Sequence, residues 1–184
     1  MSTLSVFAAV AVLSFPVSLV AQTIERPPTR APARIELRDQ FDAPQSLTFP
    51  TTNITVLLIA DRQGSEQVNQ WVTVLKRKCA DPVSIRGLAL VTGVPKFLRA
   101  RVCAEFRAKR KYPVMMDWSG KVCEQLGYRS GVANVLIIEP DGLIRARFEG
   151  SATEPRAGEA MKMLDNLREK SAPAGREHAP PLAN

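Results

Sequence analysis

Three cysteines, Cys79, Cys103 and Cys123, and a single histidine, His178, carry the obvious nucleophilic and metal-binding chemistry of this chain. Their spacing matches no motif in which they would act together. No C-x-x-C occurs, so neither a dithiol redox pair nor a cysteine zinc site is written in the sequence. His178 stands in the Pro-rich tail SAPAGREHAPPLAN, which excludes Ser-His-Asp and Cys-His catalysis and a His-ligated zinc or haem. The sequence calls for no metal and no cofactor. Cys79 shares a helical face with Val68, Val72 and Leu75 and reads as an inert core thiol. Cys103 and Cys123 lie beside Val102 and Val122 on the flanks of their helices and are the remaining catalytic candidates. In an exported protein they are also a candidate disulfide pair. Two separate free thiols is the alternative reading, because a bridge needs Cα atoms within roughly 7 Å.

Positive charge is the second chemical feature. The chain carries 25 Lys and Arg against 18 Asp and Glu, a net charge of +7. Most of the excess lies in Lys96, Arg99, Arg101, Arg107, Lys109, Arg110 and Lys111, opposed only by Glu105. The functional readings are an acidic partner or an anionic membrane surface met through Arg107, Lys109, Arg110 and Lys111. A solvated helix face is the alternative. Nucleic acid is excluded by the expected export and by the lack of interleaved aromatics.

The elements that must position these residues follow from pattern. Hydrophobic residues make up 45% and charged residues 23% of the 184, as in a soluble globular chain. Met1–Ala21 is uncharged and mostly apolar from Leu4, which fits a secretory signal better than a retained anchor. The protein is therefore expected in the periplasm or outside the cell. Residues 22–34 read as a Pro-rich linker, 35–170 as one folded domain, and 171–184 as an Ala/Pro-rich disordered tail. Within the domain, Ile54–Ala60 and Asn134–Glu139 are continuous apolar runs suited to buried strands, with Val83–Val91 and Pro113–Asp117 beside them. Helices are expected from Ser65 to Cys79, from Pro95 with Leu98, Val102 and Phe106 inward, over Ser119–Leu126, and from Pro155 to Glu169. Pro140-Asp141-Gly142 makes a hairpin to Leu143–Glu149, with Ile144, Ala146 and Phe148 on one face. The order β-α-β-α-β-α-β-β-α gives an α/β domain: a central mixed sheet with helices on both faces.

This order resembles the thioredoxin-like superfamily, nearest its redoxin branch of peroxiredoxins (alkyl hydroperoxide reductase and thiol-specific antioxidant type) and exported thiol–disulfide proteins. Two stretches carry the resemblance: TVLLIADRQGSEQVNQWV from Thr55 and PVMMDWSGKVCEQLGYRSGVANVLIIEPDGLIRARFEG from Pro113. The resemblance implies an active loop at Asp61–Glu66, where the helix N-terminus would lower the pKa of a cysteine. Gln63 and Glu66 stand where the two cysteines would be. Ala133 stands where the family places a cis-proline opposite the loop. The resemblance thus implies a thioredoxin-like protein with a degenerate active site, exported and non-catalytic, binding an unidentified protein or peptide or serving the cell envelope. The same loop offers Asp61, Gln63, Ser65 and Asn134 to a small polar ligand or peptide, while simple capping by Ser65 or Asp61 is the plainer reading. Two alternatives stay open: a thiol–disulfide oxidoreductase or thiol peroxidase acting through Cys103 or Cys123, and a membrane-surface adaptor acting through the basic helix 95–111.

Overall fold

The structure is a computed structural model that describes residues 29–78 and 83–171. Residues 1–28, 79–82 and 172–184, which include the expected signal, most of the expected linker, Cys79 and all but the first residue of the expected tail, lie outside the described residues.

The central strand is β3 (Ile54–Ala60), whose seven residues ITVLLIA are all buried. A run without a polar face must be covered on both sides, which places it mid-sheet. Two parallel partners follow, β4 (Val83–Leu90) and β5 (Val114–Asp117). Parallel pairing demands long crossovers. These are α1 (Ser65–Lys78) and, after a 3-10 turn at Lys96–Leu98, α2 (Arg99–Lys109). Then α3 (Lys121–Gln125) leads to β6 (Asn134–Ile138), antiparallel to β3, and to β7 (Ile144–Glu149) across the expected turn. Helix α4 (Glu154–Ser171) closes the chain. The sheet order is β5-β4-β3-β6-β7. Every expected strand and helix is present.

Alternation along the strands divides the core. One face carries Val56, Leu58, Val135 and Ile137 beneath Trp71 and Leu75 of α1 and Leu164 and Leu167 of α4. It continues over Ala89, Val114 and Met116, where Val102 and Phe106 of α2 pack. The opposite face carries Leu57, Ile59, Leu88, Leu136 and Ile138, covered by Leu126 of α3.

Three features differ from the sequence expectation. First, residues before β3 form an antiparallel hairpin, β1' and β2' (Arg34–Arg38 and Pro44–Thr48), whose Ile35 and Leu47 cover the second face. Its connecting turn carries Gln40, which is fully buried. The Gln40 amide donates to the Tyr112 carbonyl and accepts from the Val114 N–H, both at 2.8 Å, capping the β5 edge. The fold begins still earlier, since the Ala31 N–H donates to the Gly142 carbonyl at 2.8 Å. Second, Pro95 is extended and the first turn after it is 3-10, so α2 starts at Arg99. A tighter turn shifts the phase of the side chains. Leu98 therefore emerges, 38% exposed, while Val102 and Phe106 stay inward. Third, the β6–β7 register slips between Ile137 and Ile138. A bulge flips the following side chains to the other face. Ile144 belongs to one core layer, and Ala146 and Phe148 to the other.

Candidate functional site

The register places Ala60 beside Ala89, Leu90 beside Asp117 and Ile59 beside Asn134. The loop Asp61–Gly64, the segment 91–98, Trp118–Gly120 and Gly131–Ala133 thus meet at one end of the sheet. Open α/β sheets keep their sites at the carboxyl ends of parallel strands.

Asp61 organises this end. Its Oδ1 accepts the Gly64 N–H at 2.9 Å and its Oδ2 accepts the Gly131 N–H at 2.7 Å. Its own N–H donates to the Tyr128 hydroxyl oxygen at 2.8 Å. One carboxylate therefore bridges the loop and the facing segment. Burial pushes the Asp61 carboxyl up, but the N–H groups of Gly131 and Gly64, with the Tyr128 hydroxyl, outweigh it and hold the pKa below the usual range. Burial, with the Asp61 charge adding to it, pushes the Tyr128 phenol up, so it stays neutral.

The facing segment is tied again by Gln67, whose Oε1 accepts the Ala133 N–H at 2.8 Å. The Ala133 carbonyl accepts from the Gly150 N–H at 2.8 Å. The Asn134 amide donates to the carbonyls of Arg129 and Val132 and accepts from the Arg129 N–H. At Gly64 the two strands of the clamp touch: a Cβ there would lie 2.5 Å from the Val132 carbonyl carbon. Only glycine allows that approach. Among the described residues the one cis peptide bond is Phe49–Pro50, so Val132–Ala133 is trans.

The expected ligand set is therefore brought together but largely engaged with itself. Asp61 and Asn134 are bonded to backbone, and the Ser65 hydroxyl donates to the Arg62 carbonyl at 2.8 Å. Gln63 is exposed on the rim. Neither proposed cap acts in the usual way: Asp61 closes the turn before the helix, and Gly64 supplies the carbonyl of its first bond, from the Val68 N–H. Gln67 and Tyr128 were not legible as site residues, because neither falls in a recognisable motif.

The thiols lie elsewhere. Cys123 is 1% exposed in the core layer beneath α3. Burial, and then the charge of Asp117, push it up to about 12. Asp117 itself is fully buried; burial raises its carboxyl, but bonds from the Cys123 N–H, Ser119 and the Gly120 N–H bring it net below the usual range. Cys103 is half-buried on α2; burial raises its pKa, the Arg107 guanidinium lowers it, and Asp42 and Asp39 raise it, for a net increase. Both are free, and the Cys103–Cys123 bridge is not formed. Helix α2 packs on the Val114 and Met116 face while Cys123 belongs to the opposite layer, so the sheet lies between them.

The basic helix is partly engaged. Arg99 stacks 4.8 Å from the Trp118 ring centroid, Arg101 pairs with Glu105 at 3.8 Å, and Arg107 donates to the Gln40 carbonyl at 2.8 Å. Lys109 and Lys111 are exposed, and Arg110 is half-buried. Phe97 is 81% exposed on the same rim. Among the described residues no cluster of His, Cys, Asp and Glu could hold a metal, and no helix is long and apolar enough to cross a membrane.

No family model matches the sequence, and no curated protein matches it. Solved structures do. The exposed lipoprotein thioredoxin of Streptococcus pneumoniae superposes with a TM-score of 0.58 at 17% identity, over 72% of this chain and 100% of that one. StoA from Bacillus subtilis gives 0.55 at 14% identity, over 73% and 98%. A thiol:disulfide interchange protein of the thioredoxin family from Chlorobium tepidum gives 0.55 at 16%, over 76% and 98%. With the strand order, these matches show that the chain has a thioredoxin-like α/β fold.

Proposed function

We propose that this is a non-catalytic member of the thioredoxin-like superfamily, working after export as a binding protein for a protein or peptide partner. One observation carries the reading: the loop where the resemblance places a redox thiol is closed by the Asp61 carboxylate, which bridges Gly64 and Gly131. A redox thiol needs a low pKa and access to its substrate. Position 63 is glutamine, position 66 glutamate, and the Ala133 N–H is already bound to Gln67. Cys123, raised to about 12 and buried, is a poor nucleophile. The partner surface we favour is the rim, where Phe97 and Leu98 stand exposed beside Lys96 and Arg101, a combination suited to an acidic peptide with an apolar anchor. Export is supported by the apolar run Met1–Ala21.

Two rival readings are kept. Cys103 is half-buried, and the rise that burial gives its pKa is partly offset by the Arg107 guanidinium, which keeps a thiol oxidoreductase or peroxidase as the first rival. Exposed Lys109 and Lys111 favour an anionic membrane surface. Insulin-disulfide reduction and peroxide consumption by the purified protein separate the first. We expect background rates, unchanged by Cys103→Ser or Cys123→Ser. Turnover abolished by either substitution would replace our reading with the enzyme. Salt-sensitive binding to phosphatidylglycerol vesicles, lost when Arg107, Lys109, Arg110 and Lys111 become Gln, would establish the second.

A further inference from the structure

The sheet face under α1 and α2 is incompletely filled, and the reason lies in one residue. Gly87 sits in the middle of β4, between Leu58 of β3 and Val114 of β5. It has no side chain to offer, so the layer under α1 and α4 and the layer under α2 remain separate clusters. Between them is a groove of about 240 Å³. Its walls are apolar, with Val72 on α1, Ile85 on β4 and Phe106 on α2. Drug-sized pockets run to roughly 300–1,000 Å³, so this one fits a smaller molecule.

The groove is polarised along its length. At one end stand Lys76, Arg110 and Tyr112, with the Lys76 ammonium 5.3 Å from the Tyr112 ring centroid. Neither Lys76 nor Arg110 has an acidic partner among the described residues. The one carboxylate on the groove, Asp61, lies near the start of α1, about 16 Å of helix away from Lys76. Its oxygens are bound to Gly64 and Gly131. An apolar floor that ends at Lys76 and Arg110, without acidic partners among the described residues, is complementary to an amphipathic anion.

We infer that this groove binds a medium-chain carboxylate, with its acyl chain over Gly87 between Val72 and Phe106 and its carboxylate at Lys76 and Arg110. The bidentate geometry of an arginine suits a carboxylate, and a lysine adds a point charge. The site is separate from the rim and does not depend on what the rim binds.

Titration of the full 15N-labelled chain with sodium decanoate, below its micelle concentration, tests this. Saturable shifts are expected at Val72, Ile85, Gly87 and Phe106, and weaker binding of 1-decanol. Lys76→Gln with Arg110→Gln should weaken decanoate about tenfold, as loss of charge-assisted hydrogen bonds does. Gly87→Leu should abolish binding by filling the floor; if that chain does not fold, Val72→Trp obstructs the groove from the helix side. Three results would overturn the inference: no saturable binding up to about 1 mM, the weak limit of specific affinity; equal affinity for decanoate and decanol; or groove resonances that move with protein concentration alone, which would mean that a second copy covers the face.

Discussion

The loop at Asp61–Gly64 and the groove over Gly87 both adjoin β3, yet they are finished in opposite ways. At the loop, polar groups that could meet a ligand are bonded inward: Asp61 to Gly64 and Gly131, Gln67 to Ala133, Asn134 to Arg129 and Val132. At the groove, apolar walls stay uncovered and two cations lack acidic partners among the described residues. Each finish turns on a glycine. Gly64 lets two backbones meet, whereas Gly87 leaves the middle of β4 bare between Leu58 and Val114. One end of a sheet can thus be closed by bonds among its own polar groups while a recess nearby stays open for want of a side chain.

The largest expected effect contrasts the filled and open parts of one face. Trp71 is fully buried, and its Nε1 donates to the Gly150 carbonyl at 2.8 Å. Trp71→Ala should cost about 3–5 kcal/mol. Val72→Ala, one residue on, removes a half-buried side chain that packs at the edge of the same core and borders the groove, and should cost about 1 kcal/mol. Urea unfolding of both variants would show the contrast, and similar losses would mean the groove is closed in solution.

Breaking the clamp comes next. Asp61→Ala leaves the Gly64 and Gly131 N–H groups without their acceptor and should cost about 2–3 kcal/mol. The folded-state pKa of Asp61 lies below its unfolded value, and so does that of Asp117. Their contribution is therefore complete above the unfolded value of about 3.9 and fades as pH falls through the folded values. Stability should be flat above about pH 5 and drop below about pH 4, with a shallower acid limb in Asp61→Asn. An unchanged limb would show that Asp61 is not held as an anion.

Gly64→Ala pushes a Cβ into the Val132 carbonyl and should cost about 1–3 kcal/mol through backbone displacement. Gly87→Ala is the mirror case. Its Cβ would meet only Val114 side-chain atoms, at 3.4 Å or more. Reduced unfolded-chain entropy then favours a change between zero and about 1 kcal/mol of added stability. The two midpoints, measured side by side, should move in opposite directions.

The strands of the sheet were legible because ITVLLIA and NVLII are unbroken apolar runs, and the 140–142 turn signals its hairpin. The N-terminal hairpin was not, because RIELR and PQSLT are short and mostly polar, and their inward residues Ile35, Leu37 and Leu47 are too few to outweigh that. Alternation in β7 misled for a local reason: a bulge is a pairing event with no composition of its own. The resemblance points to positions 63 and 66 of the loop, where this chain has Gln and Glu. The clamp could not be read, since Gln67 and Tyr128 reach Ala133 and Asp61 only across the fold. Whether Cys103 and Cys123 could meet was left open by the sequence, because helical angle gives the flank of a helix and not the layer it covers.

The proposed reading rests on an ionised Asp61 that closes the loop 61–64 against Gly131. NMR titration of the Asp61 side-chain carboxyl carbon, with the Gly64 and Gly131 amide protons followed in the same samples, tests it most directly. The account predicts an apparent pKa below the ordinary value of about 3.9. It also predicts that both amide resonances shift with that same midpoint, because they bond the charged form. A pKa at or above the ordinary value, with amides that do not follow it, would mean that the loop is open and that its chemistry must be sought again.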